Sequence, residues 1–562
     1  MGPVAFALAV HDANCGGRPL DWKVFYLDDG ILVGNTLEVF QALEHLVLAY
    51  KAVGLECNLH KCTIWGPGVQ KGTQSVPQYP MEVPLDHPCR AIPVVPFVAG
   101  SGLEVLGVPV DHPGTQDMTD KVWRGAVEGL RTACNKLQEF PHDQARYVLL
   151  RYCLDGCKVN HLLRSTSCVK AAGHVSTCSL VLRSATESLV GTAISDMQWF
   201  QASLPIKKNG GGIENPAVLQ YPARVACSIG FHLNAAASIG LPRALVERHL
   251  PDFPQVLSAL QVQLGPNFDP VQGWLAAPFV DLQSADKTHA TQKWWAEHVY
   301  EELADRLPGT ASIRDQARLA VQRNALGAAW LDCPTKRGIP DDDFKLLIRW
   351  HLGIPILPIG VQLPPCPLCQ EAIDPHGDHF VTCSLNGCKQ RHDQLRSAFS
   401  DSLRLSGILH LVEQRCSERT MLRPADVLLM HWEGGRHAAV DFVVSHPLQL
   451  SQYPLSADKA SRHAASEERK KVQRIMSQEE FVESGWSFIP MGFGTFGNAG
   501  PSSIRLLSQV IQKATADLHG WEKTKRAMEI RLNISVALMR QVGRQLSLKN
   551  RVQDALDEEC LG

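Results

Sequence analysis

The segment CPLCQEAIDPHGDHFVTC places four residues with the types and spacing of a metal centre. Cys366 and Cys369 are separated by two residues, so both thiolates fall on one turn, and His379 and Cys383 are separated by three, one turn of a short helix. Three sulfurs and one imidazole nitrogen close a tetrahedron, the geometry of structural Zn2+. His376 competes with His379 for the fourth position, and Cys388 and His392 lie further out. Buried, unligated thiols are the plain alternative. Pro and Gly around the ligands leave little apolar core, so the metal is expected to supply the folding energy of this segment.

Two acidic constellations sit in strand-like surroundings. In RPADVLLMHWEGGRHAAVDFVVSHPL, Gly434-Gly435 reads as a two-residue hairpin turn, with 433 paired to 436. That offset, carried along both strands, sets Asp426 opposite Val443 and Asp441 opposite Leu428. The two carboxylates then become diagonal neighbours with Cα atoms roughly 7–8 Å apart, near enough to clamp one cation. Asp441 lies within AAVDFVV, where a lone carboxylate is costly, so it needs a metal or a cationic partner. An Asp paired with a structural Arg is the alternative. Near the start, WKVFYLDDGILVGN reads as arms Val24–Leu27 and Ile31–Val33 around Asp28-Asp29-Gly30. Adjacent carboxylates repel, and sharing a divalent cation is their cheapest use; a solvated turn is the alternative.

The chain that must position these groups has 562 residues, which sets a prior of three or four domains. Hydrophobic residues make up 45% and charged residues 20%, an ordinary globular balance that argues against wholesale disorder. Lys plus Arg is 55 and Asp plus Glu is 57, for a net charge of −2. A whole-chain electrostatic grip on nucleic acid is thereby excluded, and any grip must come from local patches. The first residues, MGPVAFALAV, lack a basic region, and their apolar run ends at His11 and Asp12. No secretory leader and no membrane span are expected, hence an intracellular protein with reduced thiols. Helical periodicity dominates from about 117 to 350, as in the stripe Val122, Trp123, Ala126, Val127, Leu130, Ala133, Leu137. The last forty residues are helical and basic, with eight Lys/Arg against two Glu over 521–551. That helix either holds phosphates or presents a solvated face.

Several of these segments together resemble the reverse transcriptases of LINE-like (non-LTR) retrotransposons. Tyr26-Leu27-Asp28-Asp29 is similar to the family's Y-x-D-D polymerase motif, GLECNLHKC (54–62) to the segment after it, and Leu106-Gly107-Val108 to the strand entering the thumb. QWFQASLPIKKNGGGIENPA (198–217) resembles a segment of the thumb and linker. The Cys/His segment is similar to the family's CCHC knuckle, with CKQRHDQLR and its Arg391-His392 resembling the basic residues just past it. Asp426, Asp441 and the charged helix ASEERKKVQRIM resemble the restriction-like endonuclease, of the PD-(D/E)xK class, in early-branching members.

The resemblance implies a multidomain α+β fold: a truncated reverse-transcriptase palm over 1–112, a mostly helical thumb and linker over 113–350, and the zinc knuckle over 351–400. An α/β restriction-like endonuclease would follow over 401–515 and a basic helical tail over 516–562. It implies that Asp28 and Asp29 belong to a polymerase site whose other metal-binding Asp lies on an earlier strand with no counterpart here. Polymerisation by this chain alone is therefore not expected, unless a second polypeptide supplies the missing palm half. It implies that Asp426 and Asp441 ligate Mg2+ and that Lys471 activates the attacking water, with Lys470 and Lys459 as alternatives and Glu413 as an auxiliary acid. The implied partners are a DNA target and an RNA template, with no membrane, and the implied location is nuclear if the source is eukaryotic.

Overall fold

The computed structural model describes residues 20–26, 29–67, 86–236, 252–269, 271, 274, 287–323, 326–332, 338–416, 424–448 and 457–561. The chain is mixed α+β and rich in helix, with two two-stranded sheets and one four-stranded sheet among the described residues. No helix among them is long and apolar enough to cross a membrane. It divides into two compact units, Met1–Gly129 with His161–Ser176, and Leu130–Asn160 with Thr177–Gly562.

In the first unit β1 (Trp22–Tyr26) and β2 (Asp29–Val33) form an antiparallel hairpin. Its register differs from the expected one. Tyr26 pairs with Asp29 and Phe25 with Gly30, so Gly30 lies inside β2 and not in the turn. The reason is steric: a Cβ at Gly30 would stand 2.6 Å from the Phe25 ring, which lies across the strand in the space the glycine leaves. α1 (Thr36–Ala52) follows, its first turn capped by Asn35 Oδ1 on the Leu37 N–H at 3.1 Å. Phe40 of α1 and Ile92 form a small core with Leu43, Leu59, Cys62 and Ile64, which roots the GLECNLHKC segment.

The strand expected across LEVLGVPV is instead a hairpin, β3 (Gly102–Val105) with β4 (Val108–Asp111). Leu106 and Gly107 turn it at φ of 52° and 76°, the left-handed pair of a type I′ turn. α2 (Asp117–Gln138) then buries Trp123, Val127, Leu130, Cys134 and Leu137 at helical spacing. Asp111 caps its start, taking the Thr119 N–H at 2.9 Å and the Thr119 hydroxyl at 2.6 Å.

The second unit is organised around buried polar side chains. α3 (Asp196–Ser203) supplies Gln201, α4 (Ile313–Gln322) supplies Arg318 and Gln322, and α5 (Asp341–His351) ends on His351. Gln201 Nε2 donates to Asn209 O at 3.1 Å and to His351 O at 3.2 Å. Arg318, fully buried, donates to Asp315, Gln201, Gln322 and His351 O. The Gly-rich loop after α3 is therefore part of the interior. A Cβ at Gly210 would fall 1.9 Å from Leu204 O, which only glycine avoids.

After α6 (Asp378–Thr382) and α7 (Cys388–Leu405), the four-stranded sheet runs in the order β5 (His410–Gln414), β6 (Ala425–Glu433), β7 (Arg436–Ser445), β8 (Ser487–Gly494). β5, β6 and β7 are antiparallel; β7 and β8 are parallel, so a crossover must connect them, and α8 (His463–Met476) lies within it. Ile475 and Phe481 of this crossover bury against Ala425, Leu428 and Ala439. α9 (Pro501–Ala514) follows β8. The long α10 (Gly520–Leu546) is built into the unit and is not an appended tail: Ile530, Leu532, Ile534, Leu538, Val542 and Leu546 are buried.

His351 gives this core a pH signature. Its Nδ1 accepts from Gln322 Nε2 at 3.2 Å and its Nε2–H donates to Asn209 O at 3.1 Å, so the neutral ring satisfies both partners. Burial, with the Arg318 guanidinium beside it, pushes its pKa down to about 4. An unfolded chain protonates His near 6.5, so between these values the unfolded state holds more protons. His351 therefore stabilises the fold above pH about 6.5, and the contribution, on the order of 3 kcal/mol, is lost as pH falls towards about 4. The advantage of the wild type over His351→Gln in urea midpoint should shrink from pH 7 to pH 4.5; an unchanged gap would contradict it.

Candidate metal centres

The first centre lies between α5 and α7. The loop turns back on itself at Cys366–Glu371: Cys366 O accepts from Gln370 N at 2.9 Å and Cys366 N donates to Glu371 O at 2.8 Å. Gln370 closes the turn at a φ of 66°. Asp374 then sets the entry of α6, its two oxygens taking the N–H groups of His376 at 2.9 Å and His379 at 2.8 Å. One turn on, Cys383 N donates to His379 O at 2.8 Å. The result brings donor atoms of Cys366, Cys369, His379 and Cys383 within 4.8 Å of one another, with Cys369 Sγ 3.2 Å from His379 Nε2. His376 and Cys388 are not in the group, and the Cys388 thiol points at Cys383 O, 3.3 Å away.

This donor set can hold a metal ion such as zinc. Burial opposes ionisation of Cys366, but the N–H groups of Cys369 and Leu368 together with the Cys369 and Cys383 thiols hold it below its ordinary pKa. Burial and the neighbouring thiols push Cys383 up to about 12.

The segment has more apolar support than its composition indicates. Phe380 and Val381 are fully buried, and a Cβ at Gly377 would lie 2.6 Å from Ile356 Cδ1 and 3.0 Å from Leu546 Cδ2. Arg391 does not face solvent. It is 4% exposed and donates to Val381 O at 2.8 Å and Gln545 Oε1 at 2.6 Å. It braces the Cys/His segment against α10. Asp378 is held likewise, by Arg314 in a bidentate pair at 2.7 and 2.8 Å.

The second centre is on the large sheet. Glu433 pairs with Arg436 across Gly434-Gly435, both glycines at positive φ, as expected. The ladder then slips. Leu429 pairs with Ala438, so three residues of β6 oppose one of β7, and His431 takes a φ of 49° within the bulge. Beyond it Leu428 pairs with Ala439 and Val427 with Val440. One step further along this register places Asp426 opposite Asp441, where the sequence implied a diagonal. The bulge thus draws the carboxylates closer than a regular hairpin would.

Both are largely buried. Asp426 Oδ2 accepts from Phe442 N at 2.7 Å and faces His392 Nε2 of α7 at 3.0 Å. Asp441 Oδ2 accepts from Lys471 Nζ of α8 at 2.6 Å. Donor atoms of His392, Asp426 and Asp441 all lie within 4.8 Å of one another. Burial raises the Asp441 pKa to about 6 against the pull of Lys471, and the Asp426 charge adds to the rise. Asp426 stays low despite its burial, held by His392 first. Each acid thus has its own partner, and their oxygens together with the His392 ring could hold a metal ion.

A buried anchor sets the height of Lys471. Three residues earlier on α8, Glu468 is 5% exposed and accepts from Gly492 N at 3.2 Å, Ser502 N and Ser503 N at 3.0 Å, and Ser503 Oγ at 2.7 Å. It caps α9 from a neighbouring helix and ties α8 to β8. Neither Glu468 nor His392 stood out as part of the acidic site in the sequence. His392 was legible only as a far candidate for zinc, and Glu468 is one of several acids on a charged helix.

The remaining expected residues lie elsewhere. Lys470 is exposed and paired with Glu467 at 2.6 Å, and the Lys459 side chain is outside the described residues. Glu413 is exposed and pairs with Arg396. Asp29 is exposed at the start of β2, and Asp28 lies outside the described residues. No protein-family model matches the chain, and no curated protein matches it.

The purified chain should carry about one zinc ion at the Cys/His centre. Cys366→Ser should remove it and lower the melting temperature, read by atomic emission and circular dichroism. Equal metal content and stability in both proteins would exclude the centre.

Proposed function

We propose that the chain is a retrotransposon-derived protein whose late sheet is a Mg2+-dependent DNA endonuclease, nicking a target so that a 3′-OH is exposed for reverse transcription. The observation that carries this reading is the meeting of Asp426 from β6, Asp441 from β7 and Lys471 from α8, with Lys471 Nζ 2.6 Å from Asp441. The two strands of one hairpin and a helix of the crossover that follows deliver two acids and one amine to one place, the grouping that metal-assisted phosphodiester hydrolysis uses.

Asp426 and Asp441 would hold the cation, and His392 stands beside them. When bound, the ion supplies Lewis-acid polarisation of a phosphoryl oxygen and lowers the pKa of water. Lys471 has two tasks that need no ion. It neutralises Asp441 in the resting state, and its ammonium can turn to the negative charge that builds on phosphate oxygens. Glu468 keeps the helix that carries it in register with β8.

The Cys/His centre is read as the family's CCHC knuckle in a bracing role, since Arg391 is spent on backbone and Gln545. The early segment is read as a palm remnant, with an RNA template and a DNA target as partners of the whole element. A eukaryotic source would place it in the nucleus.

Nicking of supercoiled plasmid in Mg2+ tests the reading. Asp441→Ala and Lys471→Ala should each slow the nick by about 10²-fold or more, with unchanged circular dichroism. Equal rates for wild type and both variants would refute the site.

A further inference from the structure

His392 is the one member of the sheet cluster that the endonuclease reading leaves without a task. It is the fifth residue of α7, nine residues after Cys383, the last thiolate of the Cys/His centre, and reaches Asp426 rather than that centre. Its Nε2 is 3.0 Å from Asp426 Oδ2, and a ring nitrogen lies within 4.8 Å of a donor oxygen of Asp441. In a six-coordinate site with metal–ligand distances of about 2.1–2.2 Å, adjacent donors stand about 3 Å apart. The imidazole nitrogen and the carboxylate oxygen already have that spacing. The other ring nitrogen, Nδ1, faces Asp393 Oδ1 at 3.6 Å. That is ion-pair rather than hydrogen-bond distance, and it puts a carboxylate on the side where one orients a metal-binding imidazole. The ring is also walled in by Phe442, whose ring centroid is 6.3 Å away and perpendicular to it.

We infer that His392 is a third ligand of the cation held by Asp426 and Asp441, and that the site therefore prefers a first-row transition-metal dication to Mg2+. The inference rests on the endonuclease reading for the two carboxylates and adds the nitrogen donor. The chemistry behind the preference is ligand type. Mg2+ takes oxygen donors and keeps its waters, whereas Mn2+ and its neighbours accept imidazole beside carboxylate. Lys471 bears on the same site, because its ammonium occupies Asp441 Oδ2 at 2.6 Å and must yield or share that oxygen when a dication enters. The alternative is that His392 only hydrogen-bonds Asp426.

Mn2+ is the probe, bound to the full chain with its Cys/His centre filled by zinc. Electron paramagnetic resonance should show a Mn2+ site that Asp441→Ala removes, with a nitrogen hyperfine coupling from a directly bound imidazole. His392→Ala should abolish that coupling and weaken Mn2+ binding by about 10–100-fold, while Mg2+ affinity, measured by competition, changes by less than about threefold. His392→Gln keeps an amide donor for Asp426 and should behave like the alanine variant. The inference is overturned if the coupling is absent from the wild type, if both ions weaken equally, or if His392→Gln binds Mn2+ like the wild type. In those cases Mg2+-driven nicking that depends on Asp441 would leave the endonuclease reading standing. Loss of that nicking together with absence of any Mn2+ site would remove both.

Discussion

Two carboxylates that face each other across a β-ladder, each largely out of water, cannot both keep their charge without a cation between or beside them. That constraint organises the second unit around its sheet. Asp426 has His392 and a backbone N–H, and Asp441 has Lys471. Each partner arrives on a different helix, and each helix must be held in place by something else. α8 is held by Glu468, which caps α9 and reaches Gly492 on β8. α7 is held by Arg391, next to His392, through the knuckle backbone and Gln545 of α10. The charge problem on the sheet is solved by elements whose own positions depend on buried polar contacts well away from it.

The same habit appears in the helical part. Arg318, Gln201, Gln322 and His351 fill a space that apolar side chains occupy in most interiors, and the Gly-rich loop closes over them. Such a network tolerates one arrangement only, since each group left without its partner is costly. It gives the region a single packing at the expense of tolerance to change.

What the sequence made legible follows from distance along the chain. The Cys/His group spans Cys366 to Cys383, and its turn chemistry is local, so spacing alone brought its four donors together. The Gly434-Gly435 turn was legible for the same reason. The bulge was not, because His431 in a left-handed conformation carries no mark in the sequence, and the pairing of the two acids changed with it. The first hairpin shifted for a comparable reason: an aspartate-glycine pair signals a turn, but the ring of Phe25 needed the glycine in the strand. Arg391 read only as one of the basic residues past the Cys/His segment, because its partner Gln545 lies more than a hundred and fifty residues away. α10 read as a basic tail because charge is visible in composition and burial is not.

α10 meets the Trp330 backbone through Ser535, the knuckle through Gln545, and Leu405 O through Arg526. A ribosome has finished the sheet, the Cys/His segment and the buried polar layer of this unit before it makes that helix. A nonsense or frameshift lesion between the end of α9 and residue 520 would keep the sheet, the Cys/His segment and the helical layer but leave each with an uncovered flank. Genetic damage confined to the codons of α10 would thus uncover regions whose own codons are intact.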